Sequence, residues 1–135
     1  MDADLERCVF DYAIANLAIF YGSNMKNCSL VETQLEQASL QQSDLYEANL
    51  SRSRLVQAQM ADCNCEAALF TGADLTYADL SNANLTDSNF QNTELFRTNL
   101  HNIKEDAALW TGSSKATALG TDAKKLEAQM WQPKQ

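Results

Sequence analysis

Proline and histidine each occur once in these 135 residues, as Pro133 and His101, and glycine occurs only four times. With so few conformational breakers, the turns have to be made by ordinary residues. A single histidine with no nucleophile patterned beside it offers no base–nucleophile pair, and no catalytic constellation is expected. No apolar run approaches the roughly 20 residues that a membrane-spanning helix needs, so insertion into a membrane is not expected. Positive charge is scarce too: 10 Lys and Arg stand against 18 Asp and Glu, a net charge of −8. The imbalance sits in residues 1–100, with 14 acidic and 5 basic residues, while residues 101–135 hold 4 and 5. An acidic body without a basic patch argues against direct nucleic-acid binding. The acidic start Met1-Asp2-Ala3-Asp4-Leu5-Glu6 does not resemble a secretory leader. Four cysteines without such a leader are expected to be reduced thiols of a cytoplasmic protein, and the length suits one domain.

What the chain has in abundance is a five-residue period. From Leu5 to Leu100 every fifth residue is large and apolar, with Ala15 and Cys65 undersized, and the residue two places earlier is always small, from Ala3 to Thr98. Neither a helix, with its 3.6-residue period, nor a strand, with its period of 2, produces this spacing. A short fixed period held without interruption predicts a solenoid, in which each unit buries its core against its neighbours. Between the small and large positions fall Asp4, Asn24, Asp44, Asn49, Asn64, Asp74, Asp79, Asn84, Asn89 and Asn99. These residue types tolerate turns and bond to nearby backbone.

The units Ala48-Asn49-Leu50, Ala73-Asp74-Leu75, Ala78-Asp79-Leu80 and Ala83-Asn84-Leu85 resemble the A(D/N)Lxx motif of the pentapeptide-repeat family. The resemblance runs from residue 1 to about residue 102. It implies an all-β solenoid, a right-handed quadrilateral β-helix with one pentapeptide per side, large and small positions inward and the other three outward. Twenty units at four per coil give about five coils, a rod roughly 24 Å long at the usual strand spacing. Ala108-Leu109-Trp110-Thr111-Gly112 repeats Ala68-Leu69-Phe70-Thr71-Gly72, so the solenoid is expected over 1–112. Residues 113–135 are then a connector and a short capping α-helix. Thr121 is the expected N-cap with Asp122 in the first turn, Leu126 and Met130 share a face with Trp131 beside them, and Pro133 stops the helix. That helix is expected to cover the open end.

Seen through this fold, the chemistry is sparse. His101 is expected to point outward with no role. Cys8 and Cys28, twenty residues apart, would stack close enough for a disulfide, yet both fill small inward slots where cysteine acts as a small hydrophobe. Cys63 and Cys65, with no further Cys or His nearby, are a weak metal pattern, so neither metal nor cofactor is expected.

The outward positions say more. Coil 1 places Val9, Tyr12, Ile14, Leu17, Ile19 and Tyr21 where later coils carry mostly Asp, Asn, Ser, Gln or Thr. Such a patch marks a candidate interface, and homodimerisation about a two-fold axis is its economical use. A weaker apolar line runs through Leu17, Val56, Tyr77 and Phe96. One side carries Asp4, Glu6, Asp44, Glu47, Glu66 and Asp87 and is the most acidic. The expected function is a non-enzymatic protein–protein interaction module. Thr98-Asn99-Leu100-His101-Asn102-Ile103, with Trp110, Gly120-Thr121-Asp122 and Met130-Trp131, resembles the ends of pentapeptide-repeat proteins associated with bacterial type VI secretion. That likeness implies an accessory or adaptor protein for the spike and its cargo. The alternative, implied by the quinolone-resistance members, is an acidic DNA mimic that modulates or protects gyrase.

Overall fold

The computed structural model describes residues 3–131. Their five-residue units stack with a twenty-residue offset in four columns of parallel bridges. One column runs Asp4, Asn24, Asp44, Asn64, Asn84 and Lys104, and another Val9, Ser29, Asn49, Leu69, Asn89 and Leu109. The third runs Ile14, Gln34, Arg54, Asp74 and Glu94, and the fourth Ile19, Ser39, Gln59, Asp79, Asn99 and Leu119. Register is regular from Asp4 onward, so the first residues described already belong to the ladder.

One unit explains the rest. The Leu5 N–H donates to the Asn24 carbonyl at 2.7 Å and the Asn24 N–H donates to the Ala3 carbonyl at 2.8 Å, joining adjacent coils. The Cys8 N–H donates to the Leu5 carbonyl at 3.0 Å, closing a four-residue turn. Its third residue, Arg7, has φ 61°, and only that central residue has positive φ, the signature of a type II turn. The same position recurs in every unit from Arg7 to Gly112. It holds Gly22, Gly72 and Gly112 and nineteen non-glycine residues, none of them Val, Ile or Thr. Left-handed backbone is costliest for β-branched side chains, and the first turn position, where φ is not positive, does accept Val31, Val56 and Thr71.

The Asn and Asp between the inward positions close these turns. Asn49 Oδ1 accepts from the Ser51 N–H at 3.0 Å and Asp79 Oδ1 from the Ser81 N–H at 2.9 Å. All ten residues read as turn-bonding from sequence make this bond. Where coil 2 has Ser29 and Gln34 instead, coil 1 supplies the oxygen. Asp11 Oδ1 accepts from the Val31 N–H at 2.9 Å and Asn16 Oδ1 from the Glu36 N–H at 2.8 Å.

Inside, Met25, Leu30 and their successors to Leu95 are fully buried, with Ala, Ser, Thr or Cys in the small slots. Phe70, Phe90 and Trp110 stack in one column at centroid spacings of 4.6 Å, so the matching 68–72 and 108–112 units place their rings on the same side of the coil. Both undersized slots adjoin a phenylalanine: Cys65 precedes Phe70, and Ala15 lies between Phe10 and Phe20, whose rings meet edge-on at 5.8 Å. Large neighbours fill the space that small residues leave.

The C-terminal part departs from expectation. Residues 113–120 keep contact with the ladder instead of leaving it: a 3₁₀ turn at Lys115–Thr117 interrupts one side, and Leu119 resumes the register. Lys115 Nζ lies 4.4 Å from the Trp110 ring centre and 2.7 Å from Glu105 Oε1. Helix α1 spans Ala123–Met130, and its N-cap is Asp122, whose carboxylate accepts from the Lys124 and Lys125 N–H groups. Thr121, the expected cap, is engaged elsewhere: its Oγ1 accepts from the Asn102 N–H at 3.1 Å. The helix buries none of its side chains, and Met130 and Trp131 are exposed instead of covering the end. Pro133 lies outside the described residues.

Candidate interaction surfaces

His101, expected on the surface, is 2% exposed. The twenty-residue offset sets Thr121 over it, and the chain turning into α1 closes around the imidazole. Its Nδ1 accepts from the Asp122 N–H at 3.0 Å, which leaves Nε2 to carry the proton and donate to Gln129 Oε1 at 2.8 Å. It is the clasp that ties α1 to the solenoid, not a free surface group.

The cysteines are free thiols. Cys28 Sγ lies 2.9 Å from the Leu5 carbonyl and Cys63 Sγ 2.8 Å from that of Leu40, bonds a thiol donates to an inward backbone oxygen. A hydrogen bond with Cys63, followed by burial, pushes the Cys65 thiol well up, and burial raises Cys28. Raised thiols stay protonated and unreactive. Among the described residues no three His, Cys, Asp or Glu are grouped to hold a metal ion.

The six acidic candidates divide. Glu47, Glu66 and Asp87 surround the Tyr46 phenol and raise it, Glu47 most. Asp44 instead receives the Asn64 amide at 3.1 Å and sits 3.6 Å from Lys26 Nζ. Asp4, in the same column, receives the Asn24 amide at 3.2 Å, and Glu6 lies beside it at the N-terminal end. On other sides, Glu32 and Glu36 pair with Arg52 and Arg54. Three of the six candidates thus act together at one corner, on Tyr46.

The apolar candidates hold together. Val9, Tyr12, Ile14, Leu17, Ile19 and Tyr21 are all exposed, Ile14 most at 76%. The inward Leu5, Cys8, Phe10, Ala15 and Phe20 of the same coil are only partly buried among the described residues. Coil 1 thus presents apolar side chains on its flanks and core on its outer edge. On the weaker line, Tyr77 and Phe96 make an edge-on ring contact at 5.7 Å and remain about half exposed, and Leu17 is exposed beyond them. One feature had no clear sequence signal, the clasp at His101; the α1 face read from Leu126, Met130 and Trp131 is an exposed apolar surface that Ala123 and Glu127 also line.

Columns of bridges at a fixed twenty-residue offset, turns closed by Asn and Asp, and an inward large–small alternation define a repeat solenoid. Residues 28–64 and 63–102 match the pentapeptide repeats family, in eight copies, and the chain belongs to that family. A pentapeptide repeat protein of the Arabidopsis thaliana thylakoid lumen is 24% identical. The match covers 71% of this chain and 67% of that one with a TM-score of 0.70. Trypsin-treated QnrB1, a plasmid-mediated fluoroquinolone resistance protein, is 16% identical; the match covers 86% of this chain and 69% of that one, with a TM-score of 0.50. No curated protein matches this chain detectably. The fold is the right-handed quadrilateral β-helix of these neighbours. The family is generally one of structural or interaction modules rather than enzymes.

Proposed function

We propose that this protein is a non-enzymatic protein-interaction module that associates through coil 1. The observation that carries the reading is the concentration of exposed Val9, Tyr12, Ile14, Leu17, Ile19 and Tyr21 in one coil of a rod whose other coils keep mostly polar flanks. Apolar surface left in water is unfavourable by about 25 cal/mol per Å², a loss that association recovers. The likeness of the tail to type VI secretion-associated members supports a place as accessory or adaptor protein in the bacterial cytoplasm, where its thiols stay reduced. The double variant Ile14→Asp, Ile19→Asp tests the module. Neither side chain faces the core, so circular dichroism should be unchanged while light scattering and affinity capture from bacterial lysate lose the complex. A variant that retains every association of the wild type overturns the reading, and capture of spike components would decide the adaptor role.

A second reading, an acidic DNA mimic acting on gyrase, is favoured by the carboxylates clustered around Tyr46. It requires that purified protein change gyrase activity in a salt-sensitive way, and that neutralising Glu47, Glu66 and Asp87 abolish the effect.

A further inference from the structure

Among the described residues, coil 1, residues 3–22, is the outermost strand edge as well as an apolar patch. In a parallel bridge the ladder bonds of the lower residue belong to its neighbours. At Val9, the Phe10 N–H donates to the Ser29 carbonyl and the Ser29 N–H donates to the Cys8 carbonyl. Val9's own N–H and C=O therefore point the other way, along the axis and out of the molecule. The same holds at Ile14 and Ile19. Among the described residues none of these three N–H or C=O groups has a hydrogen-bond partner. Each residue thus offers one donor and one acceptor side by side, the arrangement by which two residues on antiparallel strands exchange a pair of hydrogen bonds.

We propose that the partner of coil 1 is a second copy of this chain, joined end to end, edge against edge, about a two-fold axis perpendicular to the rod. The inference rests on the reading of coil 1 as an association surface and names its occupant. Three features select a second copy. First, the edge makes one full turn of the coil, with Asp4, Val9, Ile14 and Ile19 on successive sides. A single extended peptide could pair with one side, whereas another quadrilateral coil meets all of them at once. Second, the two-fold reverses the partner's chain direction, which gives the antiparallel pairing these residues are set to make. Third, the exposed side chains find no match within the chain: Val9 stacks on Ser29, Ile14 on Gln34 and Ile19 on Ser39. In an end-to-end pair two of these three stack on apolar partners while the third faces Asp4, and aromatic and β-branched cross-strand pairs are the favourable ones. Phe10 and Phe20, partly exposed at the end, are covered by the same step. A register that sets Asp4 opposite Asp4 is disfavoured by like-charge repulsion, so the axis lies on another of the square's symmetry lines.

The other end of the rod does not compete. Its last coil is interrupted by the 3₁₀ turn Lys115–Thr117, where the Ser114 hydroxyl takes the place of a ladder carbonyl in accepting from the Leu95 N–H at 2.7 Å. At the following corner the chain leaves as α1. No square edge is presented there, so the contact closes as a dimer instead of propagating into a fibre.

Sedimentation velocity and amide hydrogen exchange on the full chain test this. The wild type should form a concentration-dependent dimer. The amides of Val9, Ile14 and Ile19 should exchange about tenfold or more slowly at concentrations where it dominates. Val9→Lys with Ile19→Lys, charges on an edge, should raise the dimer dissociation constant by about tenfold or more. Circular dichroism on the same samples reports whether the β-helix is intact. Leu69→Lys, in the Val9 column but at mid-rod, should leave the dimer unchanged. A wild type that is monomeric at every concentration overturns the proposal, as does a dimer whose Val9, Ile14 and Ile19 amides exchange freely, or one that Leu69→Lys dissociates. A monomeric wild type whose Ile14→Asp, Ile19→Asp variant loses a captured partner removes end pairing and leaves the interaction module standing; loss of neither removes both.

Discussion

Phe90 is the residue whose removal should damage the solenoid most. It is fully buried, with Phe70 stacked on one face at 4.6 Å and 8° and Trp110 on the other at 4.6 Å and 16°. Phe90→Ala forfeits the transfer energy of the ring and leaves a hole that a rigid ladder cannot collapse, about 3–5 kcal/mol. Each ring contact adds about 0.5–1.5 kcal/mol beyond burial, so the upper half of that range is expected. Phe90→Leu refills most of the hole but loses both ring contacts, and should cost about 2 kcal/mol. Against a total of about 5–15 kcal/mol for a domain of this kind, the alanine variant is severe.

The stack also makes the effect local. Coils interact only with their neighbours, so weakening one should loosen the C-terminal coils ahead of the rest. Trp110 reports on those coils, and Trp131→Phe removes the other tryptophan, which is exposed. In urea, the Trp110 fluorescence transition of Phe90→Ala should then precede the circular-dichroism transition, while the two coincide in the parent. Alanine and leucine variants that both lie within about 1 kcal/mol of wild type, with coincident transitions, would refute the stacked column as a stabilising element.

Three further outcomes follow from single residues. Leu17→Val removes one exposed methylene yet should destabilise by about 1–2 kcal/mol in thermal unfolding, because Leu17 has φ 65° and a β-branched side chain is strained there. His101→Ala leaves the Asp122 N–H and Gln129 amide without their partner, at about 1–3 kcal/mol. The helical signal should fall and cleavage after Lys124 and Lys125 should accelerate, while the solenoid's β signal stays. Glu47→Gln should lower the Tyr46 phenol toward the usual tyrosine range, seen as earlier onset in an ultraviolet pH titration. With the folded value raised, the wild-type contribution is present below the unfolded tyrosine range and lost as pH rises through the folded one.

The parts of the fold that obey the period could be read residue by residue, because every inward slot and every Asn or Asp turn oxygen is set by position within five residues. His101 was misread for a reason the period itself contains. Its partner lies 21 residues on, one coil later, where the chain has stopped looking like a repeat but still follows the ladder as far as Thr121. Ser113–Gly120 reads as a connector by composition, yet the Leu119 N–H donates to the Thr98 carbonyl at 2.9 Å. Backbone bonding to a preformed edge does not need the large–small alternation, only the correct offset. The N-cap was displaced by one residue on the same account, since Thr121 spends its hydroxyl on the ladder and leaves Asp122 to start α1. The ban on β-branched residues at the positive-φ position is visible in the sequence as a column without Val, Ile or Thr, and it acquires meaning only once the turn type is known.

The same turn chemistry explains why coil 1 cannot be apolar for the sake of stability. At its central positions Asp4 accepts from the Glu6 N–H, as nine other Asn and Asp residues do along the rod. Val9, Ile14 and Ile19 have no side-chain oxygen to make that bond, a net loss of about 1 kcal/mol at each turn. They are also exposed, so they gain little from burial. Neighbours in the middle of the rod show that the fold accepts Asn, Asp, Ser or Gln at the same columns. Val9, Ile14 and Ile19 therefore weaken the isolated chain twice, by the missing turn bond and by wetted apolar surface. Both deficits point to the edge of coil 1, where a second coil would dry the side chains and engage the idle backbone groups beside them. The C-terminal side is tied by a histidine clasp to a helix, whereas the backbone groups of Val9, Ile14 and Ile19 have no hydrogen-bond partner among the described residues.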